Sequence, residues 1–550
     1  MVINIIIEED IMNTLSLGLS EFDDIIKQGK VYVDKTKFIK KMMDQGRKYY
    51  FLSRPRRFGK TLLLSTLENF FNGKKELFKD TYIYDNWKDW TEYPIIRISM
   101  SDILNTSPQR LENGILDKLD FIAFIHDINL DKTDDYVSKF SKLIYKIYEN
   151  KDKKKVIVLI DEYDAPIIDN INNTELADEN RKILQNFYNV LKNSEEYIKF
   201  AFITGISKFT KTSIFSKFNN LTEITLDKDY STICGITHNE LKKHYNNHIQ
   251  VLADENNYSF DEALDRIDYF YDGYSWDGIN NVFNPNSTLR ALSRKKFSSF
   301  WFSTGTPSFI AEIFKKRKIT EDYFKPTVLK ETDLDAIDPY NINETTLLFQ
   351  AGYLTIDEEF SENDEIYYSL RIPNFEVEQA FKDNLLNLYI EKSENRFRNS
   401  QRIIWDELIN GDCRRLSEYL RAFIAGIPYY NRISMDNDEK WKVYSMIFTI
   451  WAEEAGFYLT VERAIEDGRI DFIIENIKQD QTIIIEMKYT ADQSKTLDSL
   501  INEAFKQINK KKYWWAYTGE IKLMALGIKD IEIDDGYITD VKCQIKDVLK

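Results

Sequence analysis

The stretch 51-FLSRPRRFGKTLLLSTL-67 runs from a short apolar segment through a basic turn into a helix-forming run. Gly59, Lys60 and Thr61 stand where such a turn would grip a phosphate chain. Backbone N–H groups at a helix start converge on the phosphates, the lysine reaches their outer oxygens, and the hydroxyl ligates Mg²⁺. Arg54 occupies the position at which a phosphate loop begins with glycine, the residue that permits a positive φ and a close approach. Pro55 stiffens the entry, and Arg56 and Arg57 add charge beside the phosphates.

About a hundred residues downstream, 157-IVLIDEYDAP-166 drives an apolar strand into two acids. Asp161 is placed to hold Mg²⁺ and Glu162 to polarise an attacking water, the pairing that hydrolysis of a nucleoside triphosphate needs. A further apolar run ends in 202-FITGISKF-209, which sets Thr204 at the carboxyl edge of the same sheet, able to orient water or sense the terminal phosphate. Lys208 and Lys211 read as solvated surface.

Working outward, five apolar runs at 48–53, 93–100, 155–161, 197–205 and 221–226 are continuous rather than alternating, with helical stretches between them. That pattern belongs to strands covered on both faces, hence to a parallel sheet in a three-layer α/β domain. The expected organisation is a tail over 1–14, the phosphate-loop domain over 15–230 and an aromatic lid or small subdomain over 231–320. A mostly helical, charged linker region over 321–440 and a small α/β domain over 441–550 complete it. With 550 residues, 43% of them hydrophobic, several cores are required.

The net charge of −16 opposes constitutive binding of a polyanion, so any DNA contact must come from local basic patches. No run of 18 apolar residues exists, which excludes a helical membrane span; a cytoplasmic protein is expected, with an oligomer left open. Cys234, Cys413 and Cys543 show neither metal-ligand spacing nor a disulfide framework. His244 and His248, four residues apart, lack the glutamate of a zinc-hydrolase helix and read as a solvated face.

A second constellation lies in 461-VERAIEDGRIDFII-474 and 482-TIIIEMKY-489. Glu486 and Lys488 alternate with Met487 and so share one face of a strand. Asp471 and Glu486 can hold Mg²⁺ through hard oxygen ligands while the lysine positions water or steadies a scissile phosphate. Gln507 lies on the helix that follows. Lys506, Lys510, Lys511 and Lys512 offer a phosphate-tracking edge with Tyr513, Trp514 and Trp515 beside it as stacking partners; the reading preferred for the tryptophans is a charged helix end followed by a core strand.

The strings RPRRFGKTLLLSTL, VLIDEYDAPII and TGISKFTKTSIFSKFNNLTEITL, with VYVDKTKFI upstream and DGYSW, FNPNST and FWFSTGTPSFI downstream, together resemble the AAA-ATPase-like P-loop family over roughly 15–320. The resemblance implies ATP as the ligand and makes RPRRFGK a family form of the loop. Residues 441–545 resemble the PD-(D/E)xK nuclease superfamily. That likeness implies acid, acid and lysine roles for Asp471, Glu486 and Lys488, with Glu462 and Gln507 as supporting polar positions. The joint implication is an ATPase controlling a Mg²⁺-dependent nuclease; the other reading is a nucleotide-dependent switch or scaffold with an idle nuclease-like module.

Overall fold

The computed structural model describes residues 14–208, 214–215, 220–300, 327–334, 343–381, 407–408, 410–425, 437–454, 458–465, 468–476, 481–517, 519–533 and 536–548. These fall into two compact units, one within 14–381 and one within 407–548.

The first unit is built on five parallel strands, β1 (Tyr49–Ser53), β2 (Ile95–Ser99), β3 (Val156–Asp161), β4 (Ile198–Gly205) and β5 (Leu221–Glu223), in the order β2-β3-β4-β1-β5. Each coincides with one of the apolar runs. Every residue of β1 and β3 is buried, which explains why their sequences do not alternate. Helices α1 (Lys60–Phe71), α2 (Pro108–Ile125), α3 (Tyr136–Asn150) and α4 (Thr174–Asn193) supply the crossovers that parallel pairing demands. Because β4 lies between β1 and β3, the loop after β1 and the acids after β3 open at the same sheet edge.

Beyond the sheet, α5 (His238–Asn256), α6 (Phe260–Tyr271) and α7 (Pro285–Arg294) form a helical subdomain. Its core joins Leu241, Ile249, Ile267 and Leu292 to Leu15 of the N-terminal segment, with Val31 and Val33 packed against it. Capping boxes at Thr237 and Ser259 fix the starts of α5 and α6. His248 is buried, with its Nε2 3.0 Å from Thr14 Oγ1, so the solvated reading of that helix face fails there.

The middle of the chain carries helices, among them α8 (Glu344–Ala351) in the first unit and α9 (Arg414–Ala425) in the second. Leu416, Leu420 and Ile424 form the buried stripe of α9. The first unit also contains an antiparallel sheet that the sequence reading did not anticipate, β6 (Thr327–Lys330), β7 (Thr355–Glu362) and β8 (Glu365–Arg371), in the order β6-β8-β7.

In the second unit, β9 (Tyr458–Ile465), β10 (Gly468–Asn476), β11 (Gln481–Thr490), β12 (Glu520–Ile533) and β13 (Gly536–Asp547) form a mixed sheet in the order β13-β12-β11-β10-β9. α10 (Asn437–Glu454) covers one face, where Phe448 meets Phe472. α11 (Leu497–Lys511) covers the other and is the crossover between the parallel strands β11 and β12. The last two strands follow the aromatic segment and lie within the span 441–550 expected for this domain.

Two sequence readings are corrected here. Cys413, just before α9, is disulfide-bonded to Cys543 on β13, leaving Cys234 as a buried free thiol. A separation of 130 residues hides this pair from any spacing rule. The segment Tyr513–Ala516 is a 3₁₀ turn rather than a strand; Trp514 leans on the core while Trp515 is 72% exposed. Among the described residues no helix is long and apolar enough to cross a membrane.

Candidate functional site

The turn after β1 is shaped by two left-handed residues, Arg57 (φ 68°) and Gly59 (φ 91°), and α1 starts at Lys60. Lys60 is buried and its Nζ donates to the carbonyls of Arg54 at 2.9 Å and Pro55 at 2.8 Å, so the ammonium closes the loop on itself. Burial pulls its pKa down, against the pull of Asp161 and Glu162. Thr61 Oγ1 donates to Asp161 Oδ2 at 2.7 Å, which brings the hydroxyl and the first acid of β3 together. Burial raises the Asp161 carboxyl above its usual range. Glu162 follows in a left-handed conformation (φ 49°), a backbone state that non-glycine residues hold only under surrounding constraint.

Arg54 does not face the phosphate position. Its side chain is wholly buried, donates through one nitrogen to the carbonyls of Ser53 (2.9 Å) and Thr225 (2.8 Å), and lies 4.1 Å over the Trp276 ring. Burial lowers its pKa to about 10. The residue in the glycine position is therefore a buried tie between the loop, the end of β5 and the aromatic DGYSW segment. Such stacking suits a weakly hydrated guanidinium.

A cavity of about 720 Å³ opens beside the loop, a size usual for small-molecule sites. Arg56, Arg57, Gly59, Lys60, Thr61 and Glu162 line one side. The far walls come from residues that sequence reasoning missed: Ser16–Ser20, Val31, Lys35, Tyr245 and Arg290. Arg57 and Arg290 both donate to Asn286 Oδ1, at 3.1 and 3.0 Å. Burial and the neighbouring Arg290 and Arg56 charges lower the Arg57 pKa, a cost that an anion in the cavity would relieve. The VYVDKTKFI and FNPNST strings were the signals for this wall.

Thr204 is fully buried and gives its hydroxyl proton to the Leu52 carbonyl at 2.8 Å, bracing β4 against β1. Next to it, buried Asp164 accepts from the Ile206 and Ser207 backbone N–H groups, at 3.1 and 2.7 Å, tying the end of β3 to the end of β4. Lys208, read from sequence as solvated, is buried in an ion pair with Glu223, and its backbone N–H donates to Gln350 of α8 at 2.9 Å. Lys211 lies outside the described residues.

In the second unit the register pairs Phe472 with Ile485, so that Asp471 and Glu486 follow as the next opposed positions. Both therefore face α11, as does Lys488. Lys488 Nζ donates to Glu486 Oε1 at 2.6 Å, and Asp471 Oδ2 accepts from the Met487 N–H at 2.9 Å. Glu486 is fully buried; burial first, and the Asp471 charge second, push its pKa up to about 7. Among the described residues its Oε2 has no hydrogen-bond partner that meets the usual geometry. A buried, unpartnered carboxylate oxygen beside a second acid is a donor set that fits a divalent cation. Among the described residues no group of three or more acidic, His or Cys side chains is gathered for a metal. Two carboxylates with water completing the shell is the usual manner for Mg²⁺.

Gln507, on α11, lies 3.3 Å from the Tyr513 hydroxyl, and Tyr513 in turn feels the charges of Glu486 and Asp471, which with burial raise its pKa. Tyr513 was not recognised from sequence as part of this cluster. Glu462 is on β9, one strand from Asp471, and its side chain lies outside the described residues.

Comparison with known proteins follows the same division. A family model described as "Predicted AAA-ATPase" matches residues 16–215, and one described as "PD-(D/E)XK nuclease superfamily" matches residues 439–531. A relative from Azotobacter chroococcum mcd 1, the "Uncharacterized protein in vnfD 5'region", is 34% identical over 467 residues, covering 84% of this chain and 86% of the relative.

Proposed function

Because the chain belongs to the AAA-ATPase-like family and ends in a PD-(D/E)XK nuclease-superfamily domain, we propose that it binds and hydrolyses ATP and that its nucleotide state controls a Mg²⁺-dependent DNA phosphodiesterase. The observation that carries the nuclease half is the unpartnered Oε2 of buried Glu486, on the same sheet face as Asp471 and Lys488.

In the first unit, Lys60 exchanges the carbonyls of Arg54 and Pro55 for phosphate oxygens when ATP enters. Thr61 and Asp161 are the residues that would hold Mg²⁺, and Glu162 is the base for the attacking water. Arg56, Arg57 and Arg290 balance the charge of the triphosphate. Thr204 holds β4 in register with β1, so that the end of β4 stays level with the phosphates.

In the second unit, Asp471 and Glu486 are the residues that would hold Mg²⁺, whose chemistry when bound is Lewis-acid polarisation of a phosphoryl oxygen. Lys488 orients the water and steadies the charge that grows on the scissile phosphate. Gln507 and Tyr513 border the same pocket.

The experiment is cleavage of DNA by the purified chain in Mg²⁺, compared with Lys488→Ala, together with ATP hydrolysis compared with Glu162→Gln. Loss of cleavage in the first variant and of hydrolysis in the second is expected. Unchanged cleavage in Lys488→Ala would remove the assignment of the nuclease site, and no cleavage by the parent protein would leave the C-terminal domain idle and the protein a nucleotide-dependent switch.

A further inference from the structure

We propose that the end of α11 is a single-strand recognition edge, on which Trp515 stacks against an unpaired base and Lys506, Lys510 and Lys512 follow the flanking phosphates. The inference rests on the nuclease reading of the second unit and names the class of nucleic acid that the site takes.

Four observations meet at this edge. Trp515 is 72% exposed, an unusual place for the largest apolar side chain in an otherwise well-buried sheet domain. The Lys512 ammonium sits 4.0 Å over its ring, so a cation already occupies one face of the indole. Lys506 and Lys510 are exposed on the last turns of α11 in a chain whose net charge is −16, making the edge locally basic on an acidic protein. Lys512 adopts a left-handed conformation (φ 50°) that ends the helix and leads into the 3₁₀ turn that carries Trp515.

The position adjoins the proposed site as well as being exposed. Tyr513, two residues before Trp515, is buried, near Gln507 and close enough to Asp471 and Glu486 to feel both charges. One short turn thus connects the carboxylate pocket to the exposed indole. Basic residues alone would serve any duplex, because they read only phosphate. An exposed indole adds affinity only where a base face is uncovered, and in a duplex the base faces are stacked on one another. The combination therefore favours a strand with unpaired bases next to the phosphate that is cut.

The test is fluorescence anisotropy with a labelled single-stranded DNA oligonucleotide and with the same sequence as a duplex, using the full chain in a cleavage-blocked Lys488→Ala background. Single strand should bind more tightly than duplex. Trp515→Ala should weaken single-strand binding by about tenfold, the size of one lost base–aromatic stack, and leave duplex binding within about twofold. Trp515→Phe, which keeps a ring, should recover most of the loss. Single-strand affinity unchanged in Trp515→Ala, or single-strand and duplex binding weakened alike, overturns the inference while the nuclease reading stands. No binding of either DNA by the parent protein removes that reading as well.

Discussion

Thr61 Oγ1 donates a 2.7 Å hydrogen bond to Asp161 Oδ2, joining the start of α1 to the end of β3 across 100 residues of sequence. Without nucleotide this bond satisfies a buried carboxylate. With nucleotide the same two oxygens are the proposed Mg²⁺ ligands. Thr61→Ala should therefore act twice: it should lower the stability of the free protein by about 1–2 kcal/mol, the cost of leaving a buried acceptor unmade. It should also weaken ATP binding in Mg²⁺ by about tenfold, whereas Thr61→Ser should do neither. Thermal melts and nucleotide titrations with and without Mg²⁺ measure the two effects.

Glu162 separates binding from chemistry. Glu162→Gln keeps the size of the side chain and removes its capacity as a base, so ATP affinity should hold while turnover falls about a hundredfold or more. Steady-state hydrolysis beside equilibrium binding provides the check, and a parallel loss of affinity would assign Glu162 to the loop's architecture.

Arg54 offers a contrast between sequence logic and structure. Restoring the first glycine of the loop, Arg54→Gly, should not improve the nucleotide site, because the arginine stacks on Trp276 and ties the loop to the Thr225 carbonyl. Loss of so large a buried side chain should destabilise the protein by about 3 kcal/mol or more. A lower melting temperature with no gain in ATP affinity is the expected result.

Asp272, at the end of α6, has its pKa raised to about 6 chiefly by burial, with the Asp268 charge adding to it, and among the described residues its Oδ1 lacks a hydrogen-bond partner. An unfolded aspartate titrates near 3.8. Between these values the folded state keeps a proton that the unfolded chain has released, so stability falls as pH rises through roughly 4 to 6 and levels off above. Asp272→Asn should remove that slope, raising the melting temperature at pH 7 and leaving it unchanged at pH 4.

How far these sites could be read from the chain depends on how local their determinants are. β1 and β3 announce themselves because both of their faces are covered, and TIIIEMKY shows which residues share a face because a strand alternates by geometry alone. Arg54 was legible as a departure but not as a buried tie, since its acceptor at Thr225 lies 171 residues away. The Cys413–Cys543 bond and the Ser16–Ser20 and Arg290 walls of the cavity likewise depend on segments brought together only by folding. Trp515 was misread because KYWWAY has the composition of a strand, whereas the left-handed Lys512 leads into a 3₁₀ turn in which Trp515 is exposed.

The most direct measurement is a calorimetric titration of Mn²⁺, standing in for Mg²⁺, into the nucleotide-free full chain. Binding in the second unit should be abolished by Asp471→Asn and by Glu486→Gln and preserved in Asp161→Asn, because Asp471 and Glu486 are the groups proposed to take the ion without ATP. Metal binding indifferent to both C-terminal substitutions would contradict the assignment of a divalent-ion site to that carboxylate pair.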